Sequence, residues 1–354
     1  MQDMSPALEQ MVNKIIGDLG AAAGTALVIV GDRLGLYAAL AEHGPATPSE
    51  LAEKTGTHER YLREWLSAQA AAGYVKYNAE TRRFEMTPEQ ALVLADENGP
   101  LYMAGGFYSA ASLANDEKQL AEAFRTGVGI PWGDHHECLF CGTEKFFRPS
   151  YIANLVQEWI PSLDGTESRL QAGINVADIG CGHGCSTLIM ARTYPNSRFT
   201  GFDFHPPSIE KAKRHAAEHG LSNVSFELAT AQDFPATNGN GYDFVTIFDA
   251  LHDMGDPLGA ARHVREVLAP NGVWMIVEPA AGDSLEENLN PIGRIAYAFS
   301  TAACVPSALS QEGGYSLGAQ AGPRALQDLL SEAGFSKSQV AAQSPLNLVL
   351  EAVK

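Results

Sequence analysis

An apolar run ends in one acid and three alternate glycines: Val176-Ala-Asp178-Ile-Gly180-Cys-Gly182-His-Gly184. Glycines let a backbone turn sharply and approach a ligand closely, and a helix predicted from about Ser186 adds unpaired N–H groups. A dinucleotide-binding G-x-G-x-x-G has another spacing, and its acid follows the glycines rather than preceding them. The Gly-Lys-Ser/Thr of a phosphate-binding loop is missing. Arg198-Phe-Thr-Gly-Phe-Asp203 then reads as a strand ending in an acid, which can accept both hydroxyls of a ribose, with Phe204 next to it. Ala229-Thr-Ala231-Gln232-Asp233-Phe234 follows the strand after that.

A second kind of chemistry follows the fourth strand, in Phe248-Asp249-Ala-Leu-His252-Asp253-Met-Gly-Asp256-Pro257. Ligands of open α/β sheets bind beyond the carboxyl ends of the strands, so this loop faces the ligand held by the glycines. A histidine titrates near neutral pH, so His252 can take the proton of an attacking hydroxyl. The same residue can equally form a wall of the ligand pocket. Glu278, at the end of the next strand in Ile276-Val277-Glu278-Pro279, can hydrogen-bond and orient it.

The acid-x-Gly-x-Gly-x-Gly turn, the Asp203 strand end and the Gln232-Asp233 stretch stand in order after successive strands. From Ile174 to Lys354 the chain thereby resembles class I S-adenosylmethionine-dependent methyltransferases. The resemblance implies S-adenosyl-L-methionine as cofactor, with Asp178, Gly180, Gly182 and Gly184 around its methionine end. It further implies Asp203 and Phe204 at the ribose, Gln232 and Asp233 at the adenine, and Phe248 and Asp249 in the pocket lining. Leu251-His252-Asp253-Met-Gly-Asp256 is similar to the His-Asp-Trp-x-Asp stretch of winged-helix small-molecule O-methyltransferases, with Met254 where Trp is usual. In that family the histidine is the general base and a strand-end Glu supports it. Many class I members without base catalysis also carry a histidine here. The expected reaction is methyl transfer to a hydroxyl of an apolar or aromatic small molecule. The alternatives are N- or C-methylation, or a winged-helix transcriptional regulator that binds S-adenosylmethionine.

The elements that position these residues are legible as a pattern. Short apolar strands alternate with amphipathic helices, the mark of a parallel α/β sheet. Strands are predicted at Asn175–Ile179, Ser197–Phe202, Val224–Leu228, Tyr242–Phe248 and Gly272–Glu278, with Ser338–Ala342 and Leu346–Val353 closing the sheet. The fold expected is a Rossmann-like seven-stranded methyltransferase sheet whose last strand is antiparallel. Before it, Thr47-Pro-Ser-Glu opens a capped helix, Lys54-Thr-Gly-Thr57 turns, His58–Ala72 forms a second helix, and Tyr74–Tyr77 and Arg83–Met86 form a hairpin. That order is a winged helix. The domains expected are residues 1–90 (helices and winged helix), 91–170 (a helical linker or lid rich in aromatics) and 171–354. Pro279–Tyr315 is long for an α/β connection and is expected to add helices over the pocket, with Arg294, Tyr297 and Phe299 as candidates to face substrate.

Composition sets the partners. In 354 residues the formal net charge is -18, and an acidic surface repels phosphate backbones and anionic lipid. In His58–Ala72, Arg60 and Arg63 are countered by Glu59 and Glu64, which argues against DNA. Five cysteines, an odd number at irregular spacing, fit a reducing compartment rather than a disulfide framework. Asp134-His-His-Glu-Cys138-Leu-Phe-Cys141 gathers metal-ligand side chains, but its natural complement, Cys181 and Cys185, belongs to the glycine loop, so no metal is expected. Met1–Gln10 lacks the basic residues of a signal, and Leu19–Val30, bounded by Asp18 and Asp32, is too short to span a membrane and reads as a buried or packing helix. The protein is thus expected in the cytoplasm, without nucleic-acid or membrane partners. A homodimer is expected, built on Met11–Leu40 and the winged helix as in the resembled family.

Overall fold

Thr47 accepts the backbone N–H of Glu50 while the Glu50 carboxylate accepts the N–H of Thr47. This reciprocal cap starts the helix Pro48–Thr55, and Gly56 ends it in the left-handed region. Such local signals build the first of two contact units into which the chain divides: Met1–Ala114 with Glu137–Pro149, and Asn115–His136 with Ser150–Lys354. The structure, a computed structural model, describes residues 5–237, 239 and 241–354, so residues 1–4 of the Met1–Gln10 stretch lie outside the described residues.

In the first unit, helix Glu59–Ala71 follows Pro48–Thr55 and leads into the antiparallel pair β1 (Lys76–Asn78) and β2 (Arg83–Glu85), completing a winged helix. Its core is Leu36, Tyr37, Leu40, Leu51, Leu62, Trp65 and Leu66. The long helix Pro6–Arg33 joins it only at its end: Val28 and Gly31 alone are buried, and Trp65 donates its indole N–H to the Leu27 carbonyl. A Cβ on Gly31 would meet Trp65 at 2.5 Å and Tyr37 at 2.6 Å, so only glycine lets the helix cross those rings. Upstream, Leu8, Met11, Ile15, Ile16 and Leu19 are exposed. Of Leu19–Val30, read as a buried or packing helix, only the end packs: Val28 is buried and Leu27 rests on the core, whereas Leu19 and Val30 are exposed. The 28-residue helix is also long and apolar enough to cross a membrane.

The second unit holds a seven-stranded sheet of β3 (Asn175–Ile179), β4 (Arg198–Asp203), β5 (Val224–Leu228), β6 (Tyr242–Phe248), β7 (Leu268–Pro279), β8 (Lys337–Gln343) and β9 (Asn347–Val353). The order is β5-β4-β3-β6-β7-β9-β8, parallel except for β9, which runs antiparallel to β7 and β8. Strand β7 begins at Leu268 rather than at Gly272, pairing back to Tyr242 across an irregular register. Ala177, Ile179, Val245, Ile247, Trp274 and Ile276 are almost wholly buried, which explains the unbroken apolar runs. The chain leaves β3 toward β4 on one side and returns to β6 on the other. That reversal of direction opens a crevice at the strand ends. Between β7 and β8 lie helices Leu285–Asn288, Pro291–Phe299 and Val305–Leu309, with a π-helical turn at Ser300–Cys304.

Candidate active site

The glycine loop is fastened at both ends. Gly180, Gly182 and Gly184 all have φ between +51° and +83°, which explains their type. Before them, Asp178 is buried and accepts the hydroxyls of Ser186 at 2.8 Å, Thr187 at 2.5 Å and Thr246 at 2.9 Å. Burial pushes its carboxyl up to about 6, against the pull of those three hydroxyls. Asp178 is therefore occupied in tying β3, β6 and the following helix together.

Asp203 closes the other side. One carboxylate oxygen accepts the Gly182 N–H at 2.9 Å and the other the His205 N–H at 2.8 Å. Each oxygen keeps a second acceptor site, and burial raises its pKa above the ordinary value. A Cβ on Gly182 would enter open space, so the positive φ, not crowding, demands glycine there. Beside Asp203, Phe204 is half exposed. His205 is used locally, its Nδ1 2.8 Å from Ser208 Oγ, and Lys211 lies 3.2 Å from His183 Nδ1.

The remaining stretches meet this cradle. A Cβ on Gly180 would stand 3.0 Å from Ala250, next to Asp249 in the loop after β6. Gln232 donates to the Asp256 carbonyl at 3.1 Å, joining the third stretch to the fourth. Asp233 is drawn toward its own turn by the N–H and hydroxyl of Thr230, which lower its pKa. Asp256 caps the helix Pro257–Val267 through the Gly259 N–H.

His252 sits in a short 3-10 turn, Leu251–Asp253, and is buried. Its Nδ1 lies 2.5 Å from Glu278 Oε2, and Glu278 Oε1 accepts the Leu251 N–H at 2.9 Å. Glu278 thus orients ring and turn together. On the far side Nε2 approaches Asp253 Oδ1 to 3.1 Å. Burial lowers the imidazole pKa, but the carboxylates of Asp253 and Glu278 outweigh it and hold the ring well above its ordinary value.

Asp249 is the residue whose neighbours the sequence conceals. It has φ +49°, a conformation that costs a non-glycine residue roughly 1–3 kcal/mol. Tyr151 donates to it at 2.8 Å and Asn347 at 3.0 Å. Phe248 packs on Tyr151 and Trp159, with ring centroids 5.2 and 6.5 Å away. Tyr151 and Asn347 each lie 98 residues from Asp249 in sequence, so no local motif could reveal them. Ser186 and Thr187 carried a signal, two hydroxyls directly after a glycine loop whose acid is buried. Cys304, adjacent to His252, carried none. In the stretch Asp134–Cys141, His135 Nδ1 pairs with buried Asp116 at 2.8 Å.

The crevice, the fastened glycine loop and the oriented histidine are properties of a known kind of domain. Residues 170–322 match the family described as "Methyltransferase domain". This unit carries a methyltransferase domain. Ahead of it, residues 22–96 match "Rv2258c-like winged HTH domain". The chain is 30% identical over 133 residues to the ubiquinone biosynthesis O-methyltransferase of Actinobacillus pleuropneumoniae, covering 36% of this chain and 53% of that protein. It is 33% identical over 135 residues to the same-named protein of Haemophilus ducreyi, 37% of this chain and 54% of that one. It thus spans about half the length of the curated relatives it matches. In structure the chain resembles human N-acetylserotonin methyltransferase, solved with S-adenosylmethionine (TM-score 0.72, 17% identity, 100% of this chain and 99% of that one). It also resembles an O-methyltransferase family protein of Burkholderia thailandensis (TM-score 0.69, 17% identity, 97% and 98% covered). These likenesses show the methyltransferase fold over the whole chain, sheet and winged helix together.

Proposed function

We propose that the protein transfers the methyl group of S-adenosylmethionine to a hydroxyl of an apolar or aromatic small molecule. The observation that carries this reading is the buried His252–Glu278 pair, 2.5 Å apart, in a loop that touches the glycine cradle. The cradle fits the cofactor. Asp203 keeps two free acceptor sites on a carboxylate anchored by two N–H groups, the arrangement a ribose diol needs, and Gly182 leaves the adjoining space clear. Gly180, Gly182 and Gly184 border the methionine end, with Asp178 bracing the loop from beneath. Phe204 flanks the ribose, Gln232 and Asp233 border the adenine, and Phe248 and Asp249 line the wall. When bound, S-adenosylmethionine would supply an electrophilic methyl group on a sulfonium whose sulfide is the leaving group.

Positioning supplies much of the rate of such a displacement, and the remaining task is the acceptor's proton. His252 takes it on Nε2 while Glu278 holds Nδ1 and stabilises the imidazolium. Its pKa is raised above the ordinary imidazole value by Asp253 and Glu278, so the neutral, proton-accepting form gains as the pH rises. O-methylation should therefore speed up as the medium becomes alkaline. A nitrogen acceptor, already nucleophilic, would show no such dependence on His252.

The protein acts as a homodimer through the exposed apolar face of helix Pro6–Arg33, in a reducing compartment, the cytoplasm, which suits five cysteines that form no disulfide. Against the reading as a DNA-binding regulator stand three arginines of the winged helix. Arg60 pairs with Glu64, Arg63 with Glu59 and Arg83 with Glu50, so each carries its own counter-charge. Calorimetric titration with S-adenosylmethionine, with NADH as control, tests the core of the proposal. Micromolar binding of the methyl donor alone supports it, and binding of NADH or of neither ligand rejects it.

A further inference from the structure

His252, Asp253 and Cys304 bring a nitrogen, an oxygen and a sulfur to one point, with all three ligand atoms within 4.8 Å of one another. The first two come from the 3-10 turn after β6, the third from the end of the π-helical turn Ser300–Cys304. Single π turns inside helices recur at functional sites, where the extra residue redirects a side chain.

Two observations point from this cluster to a ligand. Asp253 Oδ1 is buried and, among the described residues, has only the contact with His252 Nε2 at 3.1 Å and no well-formed hydrogen bond, which leaves it under-satisfied. On the imidazole, Nδ1 is held by Glu278 at 2.5 Å, so Nε2 is the nitrogen turned toward Asp253 and Cys304. A carboxylate behind one ring nitrogen and a metal on the other is the usual support of a metal-ligating histidine. The spacing agrees. Bonds of about 2.0–2.1 Å from nitrogen and oxygen to a tetrahedral ion place those atoms roughly 3.3 Å apart, and Nε2 and Oδ1 are 3.1 Å apart. A thiolate in the set selects a borderline-soft ion over magnesium or calcium, and three protein ligands leave a fourth place for water or an acceptor oxygen.

We propose that His252, Asp253 and Cys304 bind a thiophilic divalent cation, Zn2+ foremost, and that the bound ion silences methyl transfer by taking the Nε2 lone pair. Three coordinate bonds form, to Nε2, Oδ1 and Sγ. The thiol proton, and the Nε2 proton where present, leave to the buffer, and nothing is oxidised or reduced. Binding stands on the ligand geometry alone. Silencing rests on the reading of His252 as the base.

Cobalt titration of the chelator-treated full-length protein tests the site. One equivalent of Co2+ should give a near-ultraviolet thiolate-to-cobalt band with the strong visible bands of four-coordinate cobalt, and Zn2+ should abolish both. Cys304→Ser should lose the near-ultraviolet band. Asp253→Asn, which keeps the side-chain shape, should keep the band but bind at least about tenfold more weakly. Circular dichroism establishes that each variant is folded, and Asp253→Asn decides the matter if Cys304→Ser is not. No band in the wild type, the same band in Cys304→Ser, or unchanged affinity in Asp253→Asn overturns the proposal. Stoichiometric Zn2+ should also stop methyl transfer without weakening S-adenosylmethionine binding. A protein that binds cobalt but not the methyl donor would retain the metal site and refute the cofactor reading, whereas the converse would remove the metal site alone.

Discussion

The hydroxyl of Tyr151 donates to Asp249 Oδ2 at 2.8 Å, giving a buried carboxyl in a left-handed backbone conformation its principal neutral donor. Tyr151→Phe takes that donor away and leaves the carboxyl buried. A stability loss of about 1–3 kcal/mol is expected, measured by urea unfolding, with the midpoint lowered and the slope unchanged.

Burial, reinforced by Glu278, pushes the Asp249 carboxyl up to about 8 despite Tyr151. An unfolded aspartate titrates near pH 3.9. Between those values the folded chain holds a proton that the unfolded chain has released, so this group's contribution to stability falls as pH rises from about 4 to about 8, then levels off. Asp178, raised to about 6, acts with the same sign over a narrower window. Asp249→Asn should flatten the decline, as denaturant unfolding at about pH 5 and about pH 8.5 would reveal. An equally steep fall in the variant would contradict the assignment.

Asp203→Asn keeps the shape at the ribose position but replaces one carboxylate oxygen with a donor. S-adenosylmethionine binding should weaken by about 1.5–3 kcal/mol, the range for a hydrogen bond to a charged group. Calorimetry reads this directly, and unchanged affinity would remove the ribose assignment.

His252→Ala should bind S-adenosylmethionine normally and methylate a hydroxyl acceptor about 10²-fold more slowly. The wild-type rate should climb as pH rises toward the elevated imidazole pKa, and the variant should lose that climb. A pocket wall would alter KM for either ligand and leave the pH profile alone. The two roles therefore separate in one kinetic series.

Ile16→Glu puts a charge in the middle of the exposed apolar face of helix Pro6–Arg33, where Ile16 is 61% exposed. Sedimentation should find dimers of the wild type and monomers of the variant at equal concentration, with the thermal transition of the sheet unit little changed. Monomers in both would reject the dimer. Flotation of the wild type with lipid vesicles would assign the face to a membrane.

The sheet was legible because its strands are buried on both faces and read as apolar runs closed by acids and glycines, from Val176–Asp178 to Ile276–Glu278. The glycine loop was legible for another reason, since a positive φ leaves little choice but glycine. Less was legible where function depends on pairing. Asp178 reads as a ligand residue, and its bonds to Ser186, Thr187 and Thr246 are a fact of packing that its own motif does not announce. His252 and Glu278 could be matched because neighbouring strands end side by side. Tyr151 and Asn347 could not, since nothing near Asp249 names them. The apolar residues of Pro6–Arg33 read both as a buried or packing helix and as a dimer surface, because composition alone does not distinguish a surface awaiting a partner from one already covered.

Asp249 finds one partner 98 residues upstream and the other 98 residues downstream, and this bears on the order in which the molecule assembles. Each link closes a loop of about a quarter of the chain, and such closures come late because their entropic cost precedes any reward. The glycine turn and its helix can form early from local contacts, whereas the surroundings of Asp249 wait until β9 has docked. A refolding chain should regain helical signal well before it regains a competent pocket, and a chaperone or protease would meet a half-built enzyme in between.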